Sequence, residues 1–217
     1  MPDPTIQTLC TLLAGLCALA YLPLTGRAPG LVRSLVKTAS VALLAALAAQ
    51  APPLLAYALA LCALGDWLLS RPGDRAFAAG ICAFAAGHLA YAALFLTHPG
   101  ADPLRLMQPP QAWIVAALAG LGILVAAALA PRAGALRGPV LAYVPVILGM
   151  GIAALALPAA GPLALTLPAA LAFIASDLVL AIEKFMLPLA HPARRIAPYA
   201  VWPLYWGAQA GFLAAFT

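Results

Sequence analysis

Apolar residues run along this chain in blocks that approach or exceed the roughly 18 residues marking a membrane-crossing helix. Eight blocks are predicted, at about 5–23, 31–49, 54–70, 75–96, 112–130, 139–158, 162–187 and 196–215. The third is short and the seventh long. The connections are brief, and the longest, at roughly 97–111, is too small to form a water-soluble domain. The first block lacks a cationic flank and a following cleavage site, so it reads as a span and not as a removed signal peptide. The expectation is an all-α polytopic membrane protein, a bundle of about eight transmembrane helices forming a single domain over 1–217.

Composition supports this pattern. The chain is 65% hydrophobic and 8% charged, whereas charged residues make up about a quarter of an ordinary soluble domain. Its net charge of +5 does not indicate a nucleic-acid partner, because the basic residues follow the predicted topology. Arg27, Arg71, Arg132, Arg137, Arg194 and Arg195 fall in the loops after helices one, three, five and seven, and Arg33, Lys37, Arg75 and Lys184 at adjoining helix ends. Only Arg105 falls on the other side. The excess of Lys and Arg predicts cytoplasmic odd loops and both termini outside, in a multi-pass protein of the cell membrane. The lipid bilayer is thus the expected environment. Cys10, Cys17, Cys62 and Cys82 all lie in predicted spans without metal or redox spacing, and read as small packing residues.

Against this apolar background two acids stand out. Asp66 lies in Leu61-Cys-Ala-Leu-Gly-Asp66-Trp-Leu-Leu69 and Asp177 in Leu171-Ala-Phe-Ile-Ala-Ser-Asp177-Leu-Val-Leu180. A carboxylate at the centre of a span costs roughly 2.5–3.5 kcal/mol on insertion scales, so such residues face a polar cavity and carry function. Lys37, His88, Tyr91, Tyr205 and Gln209 are predicted at similar depth, between one boundary and the midplane, where a pocket opening inward would collect them. Each has a plainer reading. Lys37, Glu183 and Lys184 can snorkel to the interface, and His88, Tyr205 and Gln209 can serve as interhelical hydrogen bonds. Pro145, Pro168 and Pro203 are expected to interrupt helices six, seven and eight. Gly65-Asp66-x-x-Leu69 and Ser176-Asp177-x-x-Leu180 form a short internal echo of the kind left by a parallel repeat.

Other chemistries find little support. His98 and His191 are predicted on opposite faces with His88 between them, so a zinc site of several histidines does not assemble. No metal and no cofactor is expected, with a divalent ion held by carboxylates as the alternative. Ser176 has no placed base that would make it a recognisable nucleophile.

Gly65-Asp66-x-x-Leu69, Gly87-His88-x-x-Tyr91, the run SDLVLAIEKF over 176–185, and Tyr205-Trp206-x-Ala208-Gln209 together resemble the YhhN family of integral membrane proteins. Lys37 corresponds to a lysine of that family's second helix, with Thr38 where a proline is common. Characterised members are lysoplasmalogenases. The resemblance implies a lysophospholipid substrate whose vinyl ether bond is hydrolysed to a fatty aldehyde and glycerophosphocholine or glycerophosphoethanolamine. The two aspartates suit that reaction. Protonation of the β-carbon of an enol ether creates an oxocarbenium ion, which water captures. Two carboxyl groups sharing one wet hollow, one protonated and one ionised, supply the acid, the base and the compensating charge, and either aspartate can take either role. His88, Tyr91, Tyr205 and Gln209 would position water and substrate, and Lys37 would counter the phosphate or the ionised aspartate. The competing class is a proton-coupled transporter of lipids or small molecules, which also uses intramembrane Asp, His and Lys. Under the hydrolase reading, EDTA leaves aldehyde release essentially unchanged; strong inhibition in that assay would point back to a metal.

Overall fold

A computed structural model describes residues 4–217. Eight α-helices follow in order: α1 (Pro4–Tyr21), α2 (Leu31–Leu47), α3 (Pro53–Leu69), α4 (Asp74–Thr97), α5 (Gln111–Leu129), α6 (Arg137–Ala154), α7 (Thr166–Phe185) and α8 (Ala193–Phe216). Each matches a predicted block. Six of the helical segments are by themselves long and apolar enough to cross a membrane. The shorter α3 has 17 residues, and α8 is long enough but opens on Arg194 and Arg195 and is less apolar. Leucines on the outer face of α1 and Trp113, Ile123 and Leu124 on α5 are exposed, a surface suited to lipid and not to water. These features define a multi-pass membrane protein.

One expectation about proline is corrected. α6 and α8 run through Pro145 and Pro203 as continuous helices, and α8 also contains Pro198. Pro168 does not interrupt α7, because it lies in the helix's first turn. There the missing N–H has no intrahelical partner to lose.

The bundle has two chemically distinct ends. At one end an Arg33 N–H donates to the Thr25 carbonyl (3.1 Å) and Arg71 donates to Ser34 Oγ. Phe77 meets Phe185 edge to face, and Lys184 Nζ lies 4.6 Å from the Phe77 ring centroid. Leu129, Ala133, Leu136 and Val140 pack against the same aromatic pair. The connections after α1, α3, α5 and α7 thus share this end, as the charge pattern predicts. At the other end His98 packs on Phe216, and the Asp102 amide donates to the Ala156 carbonyl at 2.8 Å. Phe95, Phe212 and Phe216 form an aromatic layer there with Tyr91.

Small residues let the helices bearing the polar groups approach closely. α3 packs most extensively on α4, and α7 on α8, whereas α6 and α7 touch far less. A Cβ on Gly87 would stand 2.9 Å from Cys62 Sγ and 3.1 Å from the Ala58 carbonyl oxygen. On the facing helix a Cβ on Gly65 would stand 2.6 Å from the Phe84 ring. In lipid, where apolar surface gains little by leaving its surroundings, such close contact is a main source of association. Gly87→Ala is therefore expected to destabilise the protein by about 1–3 kcal/mol through overpacking against backbone. Gly120→Ala, on the open face of α5 where no atom lies within 4 Å, should be neutral or stabilising. Thermal unfolding of the two variants in detergent checks the contrast.

Candidate active site

Near the basic end, α2, α3, α4, α6, α7 and α8 surround a cavity of about 240 Å³. Asp66, Asp177, Lys37 and Tyr205 all line it. Asp66 is fully buried. Its Oδ1 lies 2.7 Å from Lys37 Nζ, and its Oδ2 accepts a 2.7 Å hydrogen bond from the Tyr205 hydroxyl. Lys37 lies also over the Tyr205 ring, 5.8 Å from its centroid. Three helices, α2, α3 and α8, thus converge on one carboxylate.

Asp177 sits on a second wall of the same cavity and has no cation within ion-pair distance among the described residues. Its contacts are hydroxyls: Tyr143 donates to Oδ2, and Ser176 Oγ lies 3.2 Å from Oδ1. The Ser176 hydroxyl also lies 2.8 Å from the Phe173 carbonyl. The Ser176 hydroxyl is thus shared between the Phe173 carbonyl and Asp177 Oδ1, with the shorter contact to the carbonyl.

Asp177 and Tyr143 also line a second space, an apolar groove of about 100 Å³ between α5, α6 and α7. Its walls include Leu121, Val125, Val144, Leu148 and Ile174. Phe77, Ile81 and Leu180 border both spaces. One carboxyl group therefore stands where a polar compartment meets an apolar one.

The remaining candidates do not line the cavity. His88 lines neither space. Its Nδ1 donates to the Phe84 carbonyl at 2.6 Å, and its ring packs against Phe173 at 4.4 Å and Tyr143 at 5.5 Å. It backs the site and braces the tyrosine bound to Asp177. The Tyr91 hydroxyl donates to Gln209 Oε1 between α4 and α8, and Gln209 also reaches Tyr205, the residue that donates to Asp66. Both are fully buried away from the cavity, Tyr91 within the aromatic layer of the far end. The plainer reading of Gln209 as interhelical glue describes that contact. Among the described residues no three His, Cys, Asp or Glu side chains converge as metal ligands.

Tyr143 is the site residue that sequence reasoning passed over. Helix six reads as a uniform apolar block, and the one available signal is a hydroxyl two residues before Pro145. Arg33, Thr25, Trp202 and Glu183 also line the cavity, toward the basic end.

This membrane-embedded pair of acids sits in a chain whose residues 32–216 match the YhhN family. The protein belongs to that family, which includes lysoplasmalogenases. No curated protein and no solved structure matches the chain.

The Lys37–Asp66 pair has a consequence for stability. Removing one partner of a buried ion pair strands the other charge, at about 3–5 kcal/mol, whereas replacing both by apolar or neutral groups costs far less. Lys37→Met is expected to lower the unfolding temperature sharply, and Lys37→Met combined with Asp66→Asn to recover much of the loss. Thermal unfolding of the two single variants and the double variant in detergent provides the cycle.

Proposed function

We propose that the protein hydrolyses lysoplasmalogens at their vinyl ether bond, releasing a fatty aldehyde and glycerophosphocholine or glycerophosphoethanolamine. The supporting observation is the position of Asp177 on the boundary between the polar cavity and the apolar groove. In a lysoplasmalogen the reacting bond lies where the glycerophosphate head joins the hydrocarbon chain. With the head in the cavity and the chain in the groove, that bond falls beside Asp177. The chain enters sideways, through the sparse contact between α6 and α7. In this reading the basic end faces the cytoplasm, the side that an excess of Lys and Arg favours.

In this reading the two acids hold different protonation states. Asp66, against Lys37 at 2.7 Å, is the carboxylate. Asp177, with hydroxyl neighbours and no adjacent cation, carries the proton on Oδ1. That proton passes to the β-carbon of the vinyl ether, whose π electrons form the new C–H bond and leave an oxocarbenium ion. The Asp177 carboxylate so formed and Asp66 stabilise the cation. Water adds to the cationic carbon and gives up a proton to a carboxylate, producing a hemiacetal. Protonation of its glycerol oxygen and loss of the hydroxyl proton then release aldehyde and alcohol. Tyr143 orients Asp177, and Tyr205 with Lys37 fixes Asp66.

A positioned general acid or base contributes about 10²–10⁴-fold, so Asp66→Asn and Asp177→Asn should each reduce aldehyde release by at least that lower factor. Tyr143→Phe, which keeps the ring but loses the donor, should reduce it by about tenfold. Mass spectrometry of purified protein incubated with a lysoplasmalogen in detergent reads these rates. The saturated alkyl-ether analogue, which offers no carbon to protonate, should remain intact. Full activity in either asparagine variant would overturn the mechanism. Flux that depends on an ion gradient in liposomes, without product, would favour a carrier.

A further inference from the structure

We infer that Arg33 and Glu183 form a headgroup site selective for zwitterionic lysophospholipids, with Arg33 taking the phosphate and Glu183 the ammonium group. This deepens, and rests on, the reading of the cavity as a lysophospholipid site. Both residues line the cavity, yet no ion pair joins them to each other or to any other charged group among the described residues.

Neither charge is taken up in a close ion pair, although Arg33 stands 5.8 Å from the centroid of the Tyr21 ring. Arg33 uses one N–H on the Thr25 carbonyl, while its buried Nε has no hydrogen-bond partner. Glu183 accepts from Arg194 through its backbone carbonyl, and its carboxylate, attracted by Arg194 and Lys184 from beyond ion-pair distance, makes no close ion pair among the described residues. Lys184, the next residue, turns away over the Phe77 ring and lines the apolar groove instead. Opposite charges that face one cavity without meeting present complementary ends to a dipolar ligand.

Their spacing along the helices suits the chemistry. Arg33 lies one turn before Lys37 on the same face of α2, so it stands about 6 Å nearer the basic end than the Lys37–Asp66 pair. Glu183 follows Asp177 by six residues on α7, about 9 Å in the same direction. In a lysoplasmalogen the phosphate lies five bonds from the ether oxygen, and the ammonium four bonds beyond phosphorus. With the vinyl ether at the aspartates, the phosphate reaches the level of Arg33 and the ammonium that of Glu183. An anionic headgroup without the ammonium would instead place uncompensated negative charge toward the Glu183 carboxylate.

The test is equilibrium binding of two tritiated saturated ether lipids to the purified protein in nanodiscs. One is alkyl-ether lysophosphoethanolamine and the other alkyl-ether lysophosphatidate, which lacks the ammonium. The natural protein should bind the zwitterionic lipid at least about tenfold more tightly, the scale of one charge-assisted contact. Glu183→Gln should bring the ratio close to one, Glu183→Asp should retain part of it, and Arg33→Gln should weaken both lipids. Equal binding of both lipids by the natural protein, or an unchanged ratio in Glu183→Gln, would overturn the assignment. Because neither lipid contains a vinyl ether, the result is independent of the proposed reaction. A preference lost in Glu183→Gln, alongside no cleavage of lysoplasmalogen, would refute the hydrolysis and leave the headgroup site standing.

Discussion

A carboxylate with no exposed surface, set inside a bundle that lies in lipid, must find its compensation within the protein. For Asp66 that compensation is Lys37 at 2.7 Å and the Tyr205 hydroxyl at 2.7 Å, drawn from α2 and α8. The desolvation cost of such a group is large enough that partners supplied by several helices constrain how those helices sit. The α2–α3–α8 arrangement follows from it, and with it one wall of the cavity. Asp177 meets the same demand differently, through hydroxyls from its own helix and from α6. The contrast between a cation-paired acid and a hydroxyl-bonded acid in one cavity is the chemical asymmetry on which the proposed reaction depends.

Packing divides the molecule in a way that suits this chemistry. Where the acids and their supports must be held still, the contacts are close: Gly65 against Phe84 and Gly87 against Cys62 bring α3 onto α4, and Trp202 Nε1 ties α8 to the Ala18 carbonyl of α1 at 2.9 Å. Around α5, α6 and α7 the contacts thin out, and the apolar groove lies there. A rigid polar half beside a loosely joined apolar half is an arrangement suited to an amphipathic molecule entering from the bilayer. His88 belongs to the rigid half. Its hydrogen bond to the Phe84 carbonyl and its packing on Phe173 and Tyr143 hold the ring that touches Asp177.

Much of the site was visible in the chain because charge inside an apolar block is conspicuous. Asp66, Asp177 and Lys37 stood out for that reason, and Tyr205 by its depth beside them. Tyr143 did not stand out, since a tyrosine in a membrane helix is ordinary until a carboxylate is found against its hydroxyl. Arg33 reads as one of the basic residues at helix ends and Glu183 as a snorkelling boundary residue, because position near a helix end gives no hint of what a side chain faces. His88, Tyr91 and Gln209 match the acids in polarity and depth but do not line the cavity: His88 backs its wall, and Tyr91 bonds Gln209, which reaches the site through Tyr205.

Sequence alone determined the helix count, their approximate limits and the clustering of basic residues at one end. These properties follow from local apolar length and from the charge of short connections, which need no knowledge of neighbours. The tertiary structure decided which polar groups share a cavity, that Asp66 is paired with a cation and Asp177 with hydroxyls, and that an apolar groove adjoins the second acid. Those facts depend on the rotation of each helix about its axis and on the distance between helices. Both are set by side-chain packing between segments far apart in the chain, and a hydrophobic pattern with so little one-sidedness carries almost no record of them.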